Sequence, residues 1–137
     1  MVILGINYYF HDTTACVVVD GKLEAAIEEE RLTRQKHTGE FPERAIARCL
    51  EICDLTPDQI DHVAVSIRPD KHQGAKLLHA LKNLGGIKPF LRHELLGRIY
   101  NQRALNRWFQ KTFPGKKPPL HFVEHHLAHV VGSFCIS

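Results

Sequence analysis

The dipeptide Asp20-Gly21, set between two short β-prone runs, constrains the fold of this chain more than any other feature. A two-residue hairpin turn needs residues that tolerate positive φ, and Asp-Gly is a favoured pair for it. The runs on either side, Thr13 to Val19 and Lys22 to Ile27, therefore read as antiparallel strands. Val2 to Asn7 is an earlier apolar run, joined to the second by the short connection Tyr8-Tyr9-Phe10-His11-Asp12. The chain is expected to open as a three-strand meander.

After the meander, Glu28 to Gly39 is charged and loses periodicity. Phe41-Pro42 then leads into a helix with Pro in its first turn and apolar positions at Ala45, Ile46, Cys49, Leu50 and Cys53, ending near Asp54. Thr56-Pro57-Asp58-Gln59 has the pattern of a capped helical turn, and Asp61 to Ile67 alternates as a fourth strand. Gly74 to Phe113 is helical in character, interrupted by Gly85-Gly86 and Pro89. A Pro/Gly/Lys linker from Pro114 to Pro119 precedes a fifth strand, Leu120 to Glu124, and a last helix. Three strands, helix, strand, helices, strand, helix is an α/β order. Right-handed crossovers then give a mixed five-stranded sheet with flanking helices, the order of a ribonuclease H-like lobe in the actin, sugar kinase and Hsp70 group.

The last helix carries the strongest chemical signal. His125 and His129 stand four apart, so on a helix both rings emerge on one face, near enough to share a metal ion. His126 is an alternative partner for His129 at three-residue spacing, or a group facing substrate. The zinc-protease pattern needs Glu directly after the first His, and position 126 is His, so that chemistry is excluded. Two imidazoles leave most of a coordination sphere to other ligands, and the residues alone do not specify the metal. The chain ends at Ser137, eight residues after His129, so the site is expected to be completed by a part of the protein beyond it.

Bulk composition narrows the class. At 137 residues, 44% hydrophobic and 24% charged, the chain has the size and make-up of one soluble domain with a real core. Its apolar runs are too short to span a bilayer and no leader precedes Ile3, which gives the expectation of a cytoplasmic protein with no membrane contact. Lys and Arg exceed Asp and Glu only by 18 to 15, which suits anionic small ligands and falls short of a nucleic-acid-binding balance. The four Cys form no Cys-x-x-Cys pair, so they read as reduced thiols, with Cys49 and Cys53 in the core. Arg92, Arg98, Arg103, Arg107 and Lys111, with Trp108 and Tyr100 nearby, read as the wet basic side of an amphipathic helix with an aromatic core contact, in preference to a nucleic-acid patch.

Several blocks together resemble one family, the O-carbamoyltransferases of nodulation and antibiotic tailoring. The blocks are Leu4-Gly5-Ile6-Asn7, Phe10-His11-Asp12 with Ala15, Glu28 to Arg34 with Lys36-His37, Phe41-Pro42, and Glu124 to His129. A more distant similarity runs to threonylcarbamoyl-transferring tRNA-modification enzymes. The resemblance implies a two-step reaction in which carbamoyl phosphate and ATP form a carbamoyl adenylate in a separate C-terminal domain. The carbamoyl group then passes to a small-molecule hydroxyl in a two-lobed domain, whose first lobe this chain resembles over residues 1–137, with a helical insert at about 74–113. By the same resemblance His125 and His129 are metal ligands, with iron the usual divalent metal, and an Asp of the second lobe is the third ligand. That lobe and the adenylate-forming domain lie outside this chain, which is therefore expected to be inactive alone.

His11 matches the family's His-Asp motif and is the candidate base that deprotonates the acceptor, with Asp12 orienting it or capping the turn. Arg31, Arg34 and Lys36 read on charge alone as a solvated face; the resemblance places them beside substrate or nucleotide, with His126. The metal-nucleotide Asp-x-Gly of sugar kinases is missing, since Gly5-Ile6-Asn7 runs into aromatics, which excludes plain ATP hydrolysis and sugar phosphorylation. Two alternatives remain: threonylcarbamoyl transfer to tRNA, and a non-catalytic binding or interaction module with the same fold.

Overall fold

The computed structural model describes residues 1–8, 12–66, 97–115 and 117–136, with backbone alone at 97, 98, 101 and 132–136. His11 and most of the expected insert, 74–96, lie outside the described residues. Strands β1 (Val2–Asn7), β2 (Thr14–Val19) and β3 (Lys22–Glu28) form the meander. Asp20 and Gly21 both take positive φ, 49° and 83°, as the turn requires. Helix α1 (Glu29–Thr33) follows, then α2 (Glu43–Ile52), a 3-10 turn (Pro57–Gln59), β4 (His62–Val65), α3 (Gly97–Thr112), β5 (Leu120–Phe122) and α4 (His125–Ile136). The expectation of an aperiodic charged segment after β3 is corrected: its first residues form the single helical turn of α1. Among the described residues no helix is long and apolar enough to cross a membrane.

The sheet order is β3-β2-β1-β4-β5. β1 pairs antiparallel with β2 and parallel with β4, and β4 pairs parallel with β5. The α/β class and the mixed five-stranded sheet are thus as expected. Alternation puts Leu4, Ile6, Val17, Val63 and Val65 on one face, all buried, where they share a core with Ala45, Ile46, Cys49 and Leu50 of α2. Burying each aliphatic side chain contributes about 1.5–3 kcal/mol. Helix α3 joins the same core through Leu105 and Trp108, with Tyr8, Phe41 and Trp108 forming a run of ring contacts at 5.1 and 5.3 Å. Arg103, Arg107 and Lys111 of α3 are exposed, as an amphipathic helix demands.

The other sheet face runs through Gly5, Cys16, Ala64 and His121. Gly5 permits the close approach of Cys16: a Cβ there would meet Cys16 Sγ at 2.5 Å. Cys49 is a core thiol, fully buried, and donates to the Ala15 carbonyl at 3.4 Å. Burial, with the neighbouring Cys16 and Cys53, pushes its pKa up to about 11 from an ordinary 9.0.

Glu29 carries the main polar anchor of the core. It is 4% exposed, yet its carboxylate accepts the Ala45 N–H at 2.7 Å, and its own N–H donates to the Thr13 carbonyl at 2.8 Å. Ala45 lies in the first turn of α2, where N–H groups lack intrahelical partners, and Pro42 at the N-cap offers no side-chain acceptor. A carboxylate from another element supplies one, with the helix dipole in its favour. Replacing Glu29 by Ala is expected to cost about 2–3 kcal/mol in urea unfolding, because a buried donor is stranded. Thr13→Val should raise stability by about 1 kcal/mol, since the buried Thr13 hydroxyl has no hydrogen-bond partner among the described residues. The folded state holds the Cys49 proton more tightly than the unfolded chain, so this contribution is intact below pH 9 and lost towards pH 11. A Cys49→Ala variant should lose less stability across that window.

Candidate functional site

One edge of the sheet collects the chemistry. β1, β4 and β5 are parallel, so their C-terminal ends lie together, bringing Asn7, Ser66 and Val123 side by side. Ser66 Oγ donates to Asn7 Oδ1 at 2.5 Å, and Asn7 Nδ2 donates to the Asp12 carbonyl at 3.2 Å. A cavity of about 210 Å³ opens there between sheet and α4, lined by Gly5, Asn7, Cys16, Ser66, Val123 and Ala128. It is mostly apolar, with Asn7, Thr14 and Ser66 as polar groups at the strand ends.

Helix α4 starts where β5 stops. Glu124 accepts the Leu127 N–H at 2.9 Å and thereby caps its first turn. His125 and His129 then meet on one face, with ring centroids 4.6 Å apart and Nε2 atoms 3.1 Å apart. Nitrogens bound to one ion at about 2.0–2.1 Å lie roughly 2.8–3.4 Å apart between octahedral and tetrahedral angles. The pair fits a shared ion by that measure. His125 Nδ1 is buried without a hydrogen-bond partner among the described residues, whichever tautomer the ring adopts. The His126 ring lies 5.8 Å from that of His125 and is exposed, so His129 meets His125 rather than His126.

Asp12 does something the sequence did not announce. His37 Nδ1 lies 3.2 Å from Asp12 Oδ1, and the His37 backbone N–H donates to Glu30 Oε2 at 3.2 Å. Asp12 and His37 both hold left-handed backbone conformations, φ 54° and 55°. Such angles are uncommon outside glycine and gather at functional sites. Ligand atoms of Asp12, Glu30 and His37 all fall within 4.8 Å of one another. In the sequence Glu30 and His37 stand out only as members of longer motif blocks. His37 meets Asp12 across 25 residues of sequence, a contact that only the tertiary fold makes.

The cationic candidates divide. Arg31 lines a cleft of about 660 Å³ together with Glu28, Leu32 and Arg48, but its Nε is paired with Glu28 Oε2 at 3.2 Å. Arg48 is likewise paired with Glu51, at 2.7 Å. Arg34 ends α1 in a left-handed conformation, φ 59°, and is exposed, as is Lys36.

Comparison with known proteins places this architecture. The family model described as the carbamoyltransferase N-terminus matches residues 2–137, essentially the whole chain. The chain belongs to that family of carbamoyltransferase N-terminal domains. It is similar to the nodulation protein NolNO of Sinorhizobium fredii, with 32% identity over 133 residues, 96% of this chain and 18% of that protein. It is 31% identical over 139 residues to the uncharacterized protein sll1178 of Synechocystis sp., covering 96% of this chain and 23% of that one. A 19.2 kDa uncharacterized protein of Rhizobium etli is 40% identical over 58 residues, 42% of this chain and 34% of its own length. The chain thus spans about a fifth of the first two relatives.

The Asn7 bridge is expected to carry the geometry of this edge. Asn7→Ala removes two hydrogen bonds and should cost about 2 kcal/mol, Ser66→Ala about 1 kcal/mol. In a double-mutant cycle read by thermal unfolding, the Ser66 effect should vanish once Asn7 is gone.

Proposed function

We propose that this chain is the first lobe of the transfer domain of an O-carbamoyltransferase, in which a carbamoyl group passes from carbamoyl adenylate to a hydroxyl of a small molecule. The fold assigned with this reading is ribonuclease H-like, supported by the strand order β3-β2-β1-β4-β5 with its antiparallel-to-parallel switch at β1. The carrying observation is the His125–His129 pair at the strand-end edge, in a chain whose whole length matches the carbamoyltransferase family. ATP and carbamoyl phosphate are substrates of the longer enzyme, and a second lobe with an adenylate-forming domain completes it.

In this reading His125 and His129 hold a divalent metal through their Nε2 atoms, iron by family resemblance. When bound, the ion supplies Lewis acidity beside the carbamoyl carbonyl or the nucleotide phosphate, where negative charge develops in acyl transfer. The chain's own residues position this chemistry. Glu124 caps α4 and so fixes the orientation of both rings. The Asn7–Ser66 bridge holds the ends of β1 and β4 together at the same sheet edge, and the apolar cavity lining would limit water near the reacting carbon. His11 remains a candidate base in the segment preceding Asp12, and His126, Arg31, Arg34 and Lys36 are candidates for contact with substrate or nucleotide.

Two ligands from one lobe give only weak metal affinity. Calorimetric titration of iron(II) or zinc into this chain should show weak binding, and His125→Ala with His129→Ala should abolish it. Equal binding by both proteins would sink the ligand assignment. Carbamoyl transfer by this chain alone would show that no second lobe is needed.

A further inference from the structure

We propose that Asp12 and His37 form a carboxylate–imidazole dyad in which His37, in place of the candidate His11, is the base that takes the acceptor's proton, an inference that rests on the carbamoyl-transfer reading of the same site. An acceptor hydroxyl must lose its proton as it attacks, and an imidazole held in one tautomer by a carboxylate is a recurrent solution. The parts are in place. Asp12 Oδ1 faces His37 Nδ1 at 3.2 Å, and a carboxylate there favours the tautomer whose proton sits on Nδ1. Nε2, on the opposite side of the ring, is then the unprotonated nitrogen. The His37 side chain is 77% exposed, so Nε2 is open to a substrate.

The dyad is built rather than incidental. His37 is held twice, through its ring by Asp12 and through its N–H by Glu30, and Asp12 is held in turn through its carbonyl by Asn7. Asn7 lines the cavity that Ala128, the residue before His129, also lines, which puts the dyad on the His-pair edge of the sheet. Left-handed backbone at Asp12 and at His37 costs free energy at both positions, and both meet the same contact. Glu30 is the other ionisable group beside His37 in this cluster. Its carboxylate accepts the backbone N–H, leaving the ring to Asp12.

In the transfer step the acceptor oxygen forms a bond to the carbamoyl carbon while its proton moves to His37 Nε2. The bond from that carbon to the donor's phosphate oxygen breaks, and its electron pair stays on the departing phosphate. His37 then returns the proton to solvent. No oxidant or reductant enters.

The test uses the 137-residue chain and two readouts. Long-range proton–nitrogen NMR of the imidazoles should show neutral His37 as the Nδ1–H tautomer in the wild type. That tautomer should be lost in Asp12→Asn, which tolerates the left-handed backbone but turns an NH₂ or a weaker acceptor towards the ring. Acylation by diethyl pyrocarbonate, mapped by mass spectrometry, should modify His37 first, and Asp12→Asn should slow it about tenfold through the lost tautomer. An Nε2–H tautomer in the wild type, or acylation indifferent to Asp12→Asn, would overturn the dyad. So would chelator-reversible protection of His37 by manganese or zinc that Asp12→Asn removes, because Asp12, Glu30 and His37 would then be cation ligands. His37→Gln should titrate with iron or zinc as the wild type does. Weaker binding would place His37 in the metal site and overturn the proposal, whereas a failed titration in the wild type beside an intact tautomer would count against the metal assignment alone.

Discussion

The buried carboxylate of Glu29 is the contact on which the rest of this structure depends. It ties three elements through two hydrogen bonds: its N–H to the Thr13 carbonyl at the start of β2, and its side chain to the first turn of α2. Burying a carboxylate is costly unless its oxygens are bonded, and an unsatisfied helix N-terminus is costly too. Each removes the other's penalty. The result fixes where α1 begins, and therefore where Glu30 and the segment up to His37 lie relative to Asp12, the residue before Thr13. The polar geometry of the sheet edge is inherited from this one anchor in the core.

The direction of β1 does the remaining positioning. Paired antiparallel on one side and parallel on the other, β1 ends where β2 begins and beside the ends of β4 and β5. Open α/β sheets bind ligands at strand C-terminal ends because loops and helix starts converge there. Asn7 sits at that convergence with both ends of its amide engaged, to Ser66 and to Asp12. An Asp in its place would lack the donor that holds the Asp12 carbonyl. The amide at the end of β1 therefore serves loop geometry here.

Much of this is legible in the sequence, and the reason is locality. The meander follows from Asp20-Gly21 and two alternating runs, and the His125–His129 contact follows from a four-residue helical repeat, so neither depends on distant chain. The Asp12–His37 contact and the Glu29 anchor do. Glu28-Glu29-Glu30-Arg31 reads as a solvated charged run, and only the tertiary fold decides that Glu29 alone turns inward while Glu30 reaches the backbone of His37. Left-handed residues such as Asp12, Arg34 and His37 are equally hard to foresee, because no glycine marks them. The helical turn of α1 falls in the same gap, since five residues are too few to show a period.

A second histidine pair shows why distance alone does not define a site. His62 Nδ1 and His121 Nε2 are 3.1 Å apart, the same separation as His125 and His129. Yet His62 opens β4, at the N-terminal end of a parallel strand whose far end reaches Ser66. Diagonal neighbours on two parallel strands come within reach of one another wherever the sheet places two long polar side chains on one face. The pair on α4 differs in context: its helix is capped by Glu124, follows the C-terminal end of β5, and lines through Ala128 the cavity that Asn7 and Ser66 also line. Placement on the converging edge, beside groups already held in strained or doubly bonded geometry, distinguishes the candidate centre from a chance contact of equal length.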